Sequence, residues 1–222
     1  YGCTGLTELI LPESLENIGN SAFYGCTGLT ELTLQESLVT IGGSAFYGCS
    51  GLTELTLVEG LKTIGSAAFR GCTGLTELTL PESLETIGNT AFYNCKALSR
   101  INLNAVNLAD LGSSNYAFSY AGQNGDGITV SVGSNVTKIP AYLFYPYSST
   151  GHIPKVTSVV FEEGSCCQQI GNSAFYENGQ LIQICIPETV TEIGEYAFYN
   201  CTKLVIALEA DALPATLGKS WR

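Results

Sequence analysis

A 23-residue unit recurs almost letter for letter through the first hundred residues. Cys3, Cys26, Cys49, Cys72 and Cys95 stand 23 apart, and so do Phe23, Phe46, Phe69 and Phe92. The segment LTELIL at 6–11 returns as LTELTL at 29–34, 52–57 and 75–80. A fixed period of this length restricts the chain to a solenoid, in which each turn packs on its neighbours and one core runs through the stack. A single unit buries too little apolar surface to offset the entropy of ordering it, so folding requires stacking.

The unit at 75–97 shows how one turn is built. Leu78 and Leu80 alternate with Glu77 and Thr79. That alternation predicts a short strand with the leucines inward. Pro81 ends it, because proline cannot donate to a ladder. Leu84 and Ile87 mark a second short extended segment, closed by Gly88. The same glycine recurs as Gly19, Gly42, Gly65, Gly171 and Gly194, a pattern that suggests a turn with positive φ. Ala91, Phe92 and Cys95 follow at a spacing that suits one helical or 3₁₀ turn. Strands one unit apart are expected to pair in parallel at about 4.8 Å.

The pattern L-x-x-L-x-L-P-x-S-L-x-x-I-G-x-x-A-F-x-x-C resembles the BspA-like, Treponema pallidum-type leucine-rich repeats. It holds at 6–28, 29–51, 52–74 and 75–97, and again in LIQICIPETVTEIGEYAFYNC at 181–201. IPAYLF at 139–144 and FEEGSCCQQIGNSAF at 161–175 are similar to variants of the same family. The resemblance implies an α/β repeat solenoid: a right-handed, curved superhelix of about nine repeats, with short parallel strands on the concave side and short helical or 3₁₀ turns. It implies a non-catalytic adhesion or protein-binding role at the surface of, or secreted by, host-associated bacteria or protozoan parasites.

One domain over 1–222 is expected, with regular repeats at 6–97, irregular ones at 98–180, a regular one at 181–203 and a capping repeat at 204–222. Trp221 reads as part of that cap, since terminal repeats need a covering end. Tyr1-Gly2-Cys3 matches Tyr24-Gly25-Cys26, so the chain reads as a piece of a longer protein whose targeting signals lie elsewhere. An extracellular or cell-surface location and a monomer are expected.

Charge narrows the partners. The net charge is −11, which disfavours nucleic acid and anionic membranes. No apolar run approaches the 18 residues a spanning helix needs. Of nine cysteines, six share one repeat position (Cys3, Cys26, Cys49, Cys72, Cys95, Cys201), which favours buried thiols over disulfides. Cys166, Cys167 and Cys185 lie off that ladder. Cys167 is expected inward, and Cys166 and Cys185 outward.

The candidate contact residues fall into two sets. Glu8, Glu31, Glu54 and Glu77 hold one outward strand position, and Arg100 follows in the same column, then Thr129, Ser158 and Gln183. Such a strip suits a basic or polyhydroxyl partner or a weak Ca²⁺ site, or is a solvated face copied by duplication. The second set lies where the period breaks. The phenylalanine spacing widens to 26, 26 and 31 between Phe92, Phe118, Phe144 and Phe175. Extra chain at 104–116 and 145–155 is expected to loop out, and insertions in solenoids often carry binding. Tyr142, Tyr145, Tyr147 and His152 cluster there and suggest contact with a protein or glycoprotein. A tyrosine column (Tyr1, Tyr24, Tyr47, Tyr93, Tyr176, Tyr199) reads first as packing and second as a contact stripe. His152 has no triad or zinc motif around it and reads as solvated. No catalytic residue, metal or cofactor is expected.

Overall fold

The computed structural model describes residues 2–147, 151–209, 214 and 216–222; Tyr1 lies outside them. Among the described residues the elements are strands: β1 (Glu8–Ile10), β2 (Asn17–Ile18), β3 (Glu31–Thr33), β4 (Thr40–Ile41), β5 (Thr63–Ile64), β6 (Glu77–Leu80), β7 (Thr86–Ile87), β8 (Arg100–Leu103), β9 (Ile128–Val132), β10 (Lys138–Ile139), β11 (Val156–Phe161), β12 (Gln169–Ile170), β13 (Gln183–Ile186), β14 (Glu192–Ile193), β15 (Val205–Leu208) and β16 (Thr216–Leu217). Each turn of the coil has three faces: a longer strand, a two-residue strand and a turn segment. All pairings are parallel. The longer strands form the sheet β15-β13-β11-β9-β8-β6 and the pair β1-β3, and the short strands form β2-β4-β5-β7 and β10-β12-β14-β16. The strand alternation appears as expected, with Leu78 and Leu80 buried and Glu77 exposed.

The expected helical turn does not form. No helix or 3₁₀ segment occurs among the described residues. The reason lies in where the amides point. In the second turn, Ala45, Tyr47 and Cys49 donate locally, to Gly42 O, Ser44 O and Phe46 O. Ser44, Phe46 and Gly48 donate instead to Ser66 O, Ala68 O and Arg70 O of the next turn, each at 2.8 Å. A helix would keep every amide within the segment. Here alternate amides knit neighbouring turns together, so the turn face is laddered like the strand faces.

The recurring glycine has a different role from the one expected. Its φ is not positive; the left-handed residues lie two positions on, at Ser21, Ser44, Ala67, Thr90, Ser173 and Tyr196. The glycine allows close approach. A Cβ at Gly88 would stand 2.5 Å from the Gly65 carbonyl carbon and 2.7 Å from Ser66 Cα.

The core is continuous from Leu11 to Leu204. Its spine is a stack of phenylalanines: Phe23, Phe46, Phe69, Phe92, Phe118, Phe144, Phe175 and Phe198, with successive centroids 5.2–5.5 Å apart. The stack passes the irregular region unbroken, and 104–116 does not simply loop out as expected: its Ala105, Leu108 and Leu111 are buried in the core. Asp110 anchors one insertion, accepting from the amide of Ala141 at 2.8 Å and from Lys138 Nζ at 2.5 Å.

A second column runs beside the rings. The thiols of Cys49, Cys72, Cys95 and Cys201 each donate to the carbonyl of the preceding turn's phenylalanine, at 3.1–3.3 Å. Asn178 takes the cysteine position in its turn, and its Nδ2 donates to Phe144 O at 3.0 Å. Burial pushes Cys49 and Cys167 up to about 11 and Cys95 and Cys201 up to about 12, and raises Cys72 well above its ordinary value. Cys3, Cys166 and Cys185 are exposed. At pH 8, a thiol reagent such as Ellman's is therefore expected to label these three in the native protein and the other six after unfolding. Because the native pKa values lie above the unfolded one, the stabilisation is complete below about pH 9 and is lost as pH rises toward 12. A denaturant series over that range should show the midpoint falling; a flat series would refute it.

Candidate functional site

The glutamate column forms in register. Glu8 pairs with Glu31, and Glu77 with Arg100; the same position continues through Thr129, Ser158 and Gln183. All four glutamates and Arg100 are exposed on the long-strand face. The column ends where charge is compensated. Glu77 Oε1 accepts from Asn102 Nδ2 at 3.0 Å and lies 3.9 Å from Arg100 Nε. Both partners are more than half exposed, so this ion pair contributes little.

Within the column the sheet is interrupted. Residues 52–57 repeat their neighbours' sequence yet join no ladder. Clefts of about 360 and 310 Å³ open on either side, lined by Glu31 with Glu54 and by Glu54 with Glu77. Like charges directly opposite weaken a strand pair; Glu8 and Glu31 face each other in β1–β3 all the same, and Glu31 and Glu77 flank Glu54 in the turns before and after it. Glu54→Thr is expected to let this strand pair and to raise stability by about 0.5–1 kcal/mol. Amide hydrogen exchange of 53–57 checks this; unchanged protection would count against charge as the cause. Among the described residues no three His, Cys, Asp or Glu side chains converge on a metal-binding geometry.

The insertion residues form the second set, on the turn face. Tyr142 packs edge-on against Tyr145 at 5.3 Å, and Tyr147 against His152 at 5.8 Å. Tyr116 joins the two pairs, at 6.5 Å from Tyr145 and 4.9 Å from Tyr147. His152 is not a solvated loop residue. Its ring lies 5.4 Å from Tyr120 and 6.1 Å from Tyr93, its backbone oxygen accepts from Tyr120 N at 3.0 Å, and its Nδ1 is buried without a hydrogen-bond partner among the described residues.

The insertion fills a gap in the tyrosine column. Tyr24 stacks on Tyr47 at 4.6 Å, Arg70 lies over Tyr47 and Tyr93, and Tyr145, Tyr176 and Tyr199 continue at 5.1 Å intervals. In the turn between Tyr93 and Tyr145 the column position is Ser119, fully buried. Its hydroxyl donates to Tyr145 O at 3.3 Å and accepts from Tyr147 N at 2.8 Å, and so turns the insertion back over the gap. Tyr93, Tyr116 and Tyr120 thus complete a patch that the clustering of Tyr142, Tyr145, Tyr147 and His152 only partly marks. The small residue at 119, in a column otherwise of tyrosines and one arginine, is the signal for it in the sequence. The glutamates and the tyrosines lie on different faces of the coil, not in one strip.

Comparison with known proteins identifies the family. The family model for a BspA type leucine rich repeat region matches residues 1–125 and 114–208. None of the curated proteins compared with the chain matches it. Among solved structures, a leucine-rich repeat protein from Bacteroides ovatus is 24% identical, covering 99% of this chain and 77% of that one with a TM-score of 0.43. The T. pallidum leucine-rich repeat protein is 22% identical over 95% of this chain and 72% of its own, at a TM-score of 0.47. A leucine rich cell surface protein from Faecalibacterium prausnitzii is 20% identical over 93% and 80%, at 0.38. With the family model spanning nearly all of the coil, the chain belongs to the BspA-type leucine-rich repeat family.

Proposed function

We propose that the chain is a non-catalytic adhesion or protein-binding module of a cell-surface or secreted protein, recognising a host or neighbouring-cell protein or glycoprotein. The aromatic patch supports this most directly. Tyr147 is 56% exposed, and its amide donates to the hydroxyl of buried Ser119. Large, rigid, amphipathic rings on a fixed scaffold suit protein contact at low entropic cost. The glutamate column offers a second, acidic contact strip for the basic part of a partner, and the acidic surface disfavours nucleic acid.

The test is solid-phase binding of the purified chain to immobilised extracellular-matrix and epithelial glycoproteins. Tyr147→Ala is expected to weaken binding about tenfold or more, in line with an interface anchor. Glu31, Glu54 and Glu77 to lysine should lower it further and change its salt dependence. Absence of binding to every such protein would favour the second reading, a structural spacer that presents another domain. The unbroken phenylalanine stack is the feature in its favour.

A further inference from the structure

Beside the insertion, at the corner between the turn face and the long-strand face, lies a groove of about 530 Å³. Gln123, Lys155, Glu177, Gln180, Asn200 and Thr202 line it, against a wall of Ile153 and Pro154. Turns distant in sequence supply them, and Gly151, Ile153 and Pro154 close one side. The volume is in the range of small-molecule sites, about 300–1,000 Å³.

The hydrogen bonds show which groups are spoken for. Gln123 Nε2 donates to Ala121 O at 3.2 Å and Ile153 O at 2.9 Å, which ties the insertion to the coil and leaves Oε1 as an acceptor. Lys155 Nζ donates to Gly125 O at 2.6 Å. Gln180 Oε1 accepts from Lys203 Nζ at 2.8 Å, leaving its amide N–H groups as donors. The side chains of Glu177, Asn200 and Thr202 make no hydrogen bond to another described residue. Glu177 forms no ion pair among the described residues, and partial burial raises its pKa.

This lining discriminates between ligand classes. One carboxylate is too few for a cation that takes six to eight oxygens. One ammonium, already donating to a carbonyl, is a poor anion site. What remains is a near-neutral set of acceptors and donors facing an apolar wall. A pyranose matches it: each hydroxyl both donates and accepts, and the ring carries an apolar C–H face. We propose that this groove binds a neutral saccharide of one or two rings. The site adjoins the aromatic patch but shares no lining residue with it, and does not depend on the protein-binding reading.

A microarray of defined neutral oligosaccharides, probed with the full chain and followed by calorimetry on the strongest binder, tests it. Millimolar or tighter binding is expected. Glu177→Gln combined with Thr202→Val should weaken it at least tenfold. Gly179→Leu gives an independent check. A Cβ there would lie 3.6 Å from Thr202 Oγ1, so the larger side chain obstructs the groove without removing a hydrogen bond. Tyr147→Ala should leave saccharide binding intact, so failure here and failure of glycoprotein binding through the patch are told apart. No saccharide binding at 10-millimolar order, or binding that both groove variants retain while their melting curves match the parent's, overturns the proposal.

Discussion

Gly88→Ala is expected to lower the melting temperature by about 6–12 °C, from a loss of about 3 kcal/mol. The added methyl would meet the Gly65 carbonyl carbon at 2.5 Å and Ser66 Cα at 2.7 Å. Both are backbone atoms, so no rotamer change relieves the clash. The two turns must part, and that strains the bond from Gly88 N to Ile64 O, now 2.8 Å. The φ of Gly88 is ordinary, so the cost is steric and not conformational. Gly19→Ala is the matched control. A Cβ at that same repeat position would meet nothing within 4 Å, and the change should cost under about 1 kcal/mol. Equal costs at the two sites by urea denaturation would remove close approach as the reason for the glycine.

Phe92→Ala should cost about 4 kcal/mol. Phe92 is completely buried and stacks on Phe69 at 5.4 Å and Phe118 at 5.2 Å. Truncation removes its burial and both ring contacts, and leaves a void the fixed turn spacing cannot close. Phe23 is half-buried, so Phe23→Ala is expected to cost roughly half as much. Since the ring stack and the ladders join each turn to its immediate neighbours, a defect at Phe92 also divides the stack, and unfolding of the variant should become less cooperative. A single sharp transition with a loss below about 2 kcal/mol would show that the rings do not act as the spine.

Much of this fold is legible because the repeat states each residue's environment several times over. Leu78 and Leu80 point inward, Ile87 marks the second strand, and Cys95 is buried beside the ring stack, all as the pattern implies. The turn segment misleads because its composition fits a helix, and the competing demand comes from the next turn, which takes every second amide. The glycine misleads for the same reason: a recurring glycine marks either positive φ or close approach, and only the neighbouring turn decides. At the candidate site, Tyr142, Tyr145, Tyr147 and His152 are recognisable as a cluster, but their partners Tyr93 and Tyr120 lie far back in sequence. The interruption at 52–57 is invisible in a segment that copies its neighbours letter for letter.

The sharing of alternate amides between turns has a mechanical consequence. On all three faces, hydrogen bonds run along the long axis, and apart from the break at 52–57 on the long-strand face each turn is held to the next by a ring of them. Tension applied end to end would load these rings in series, so the weakest junction yields first while the others hold. Each released turn would let out about 23 residues of chain, or roughly 8 nm at full extension. A chain built in this way would meet a pull in discrete steps, like a ratchet letting out cord, and would keep its remaining surface intact while the force is absorbed.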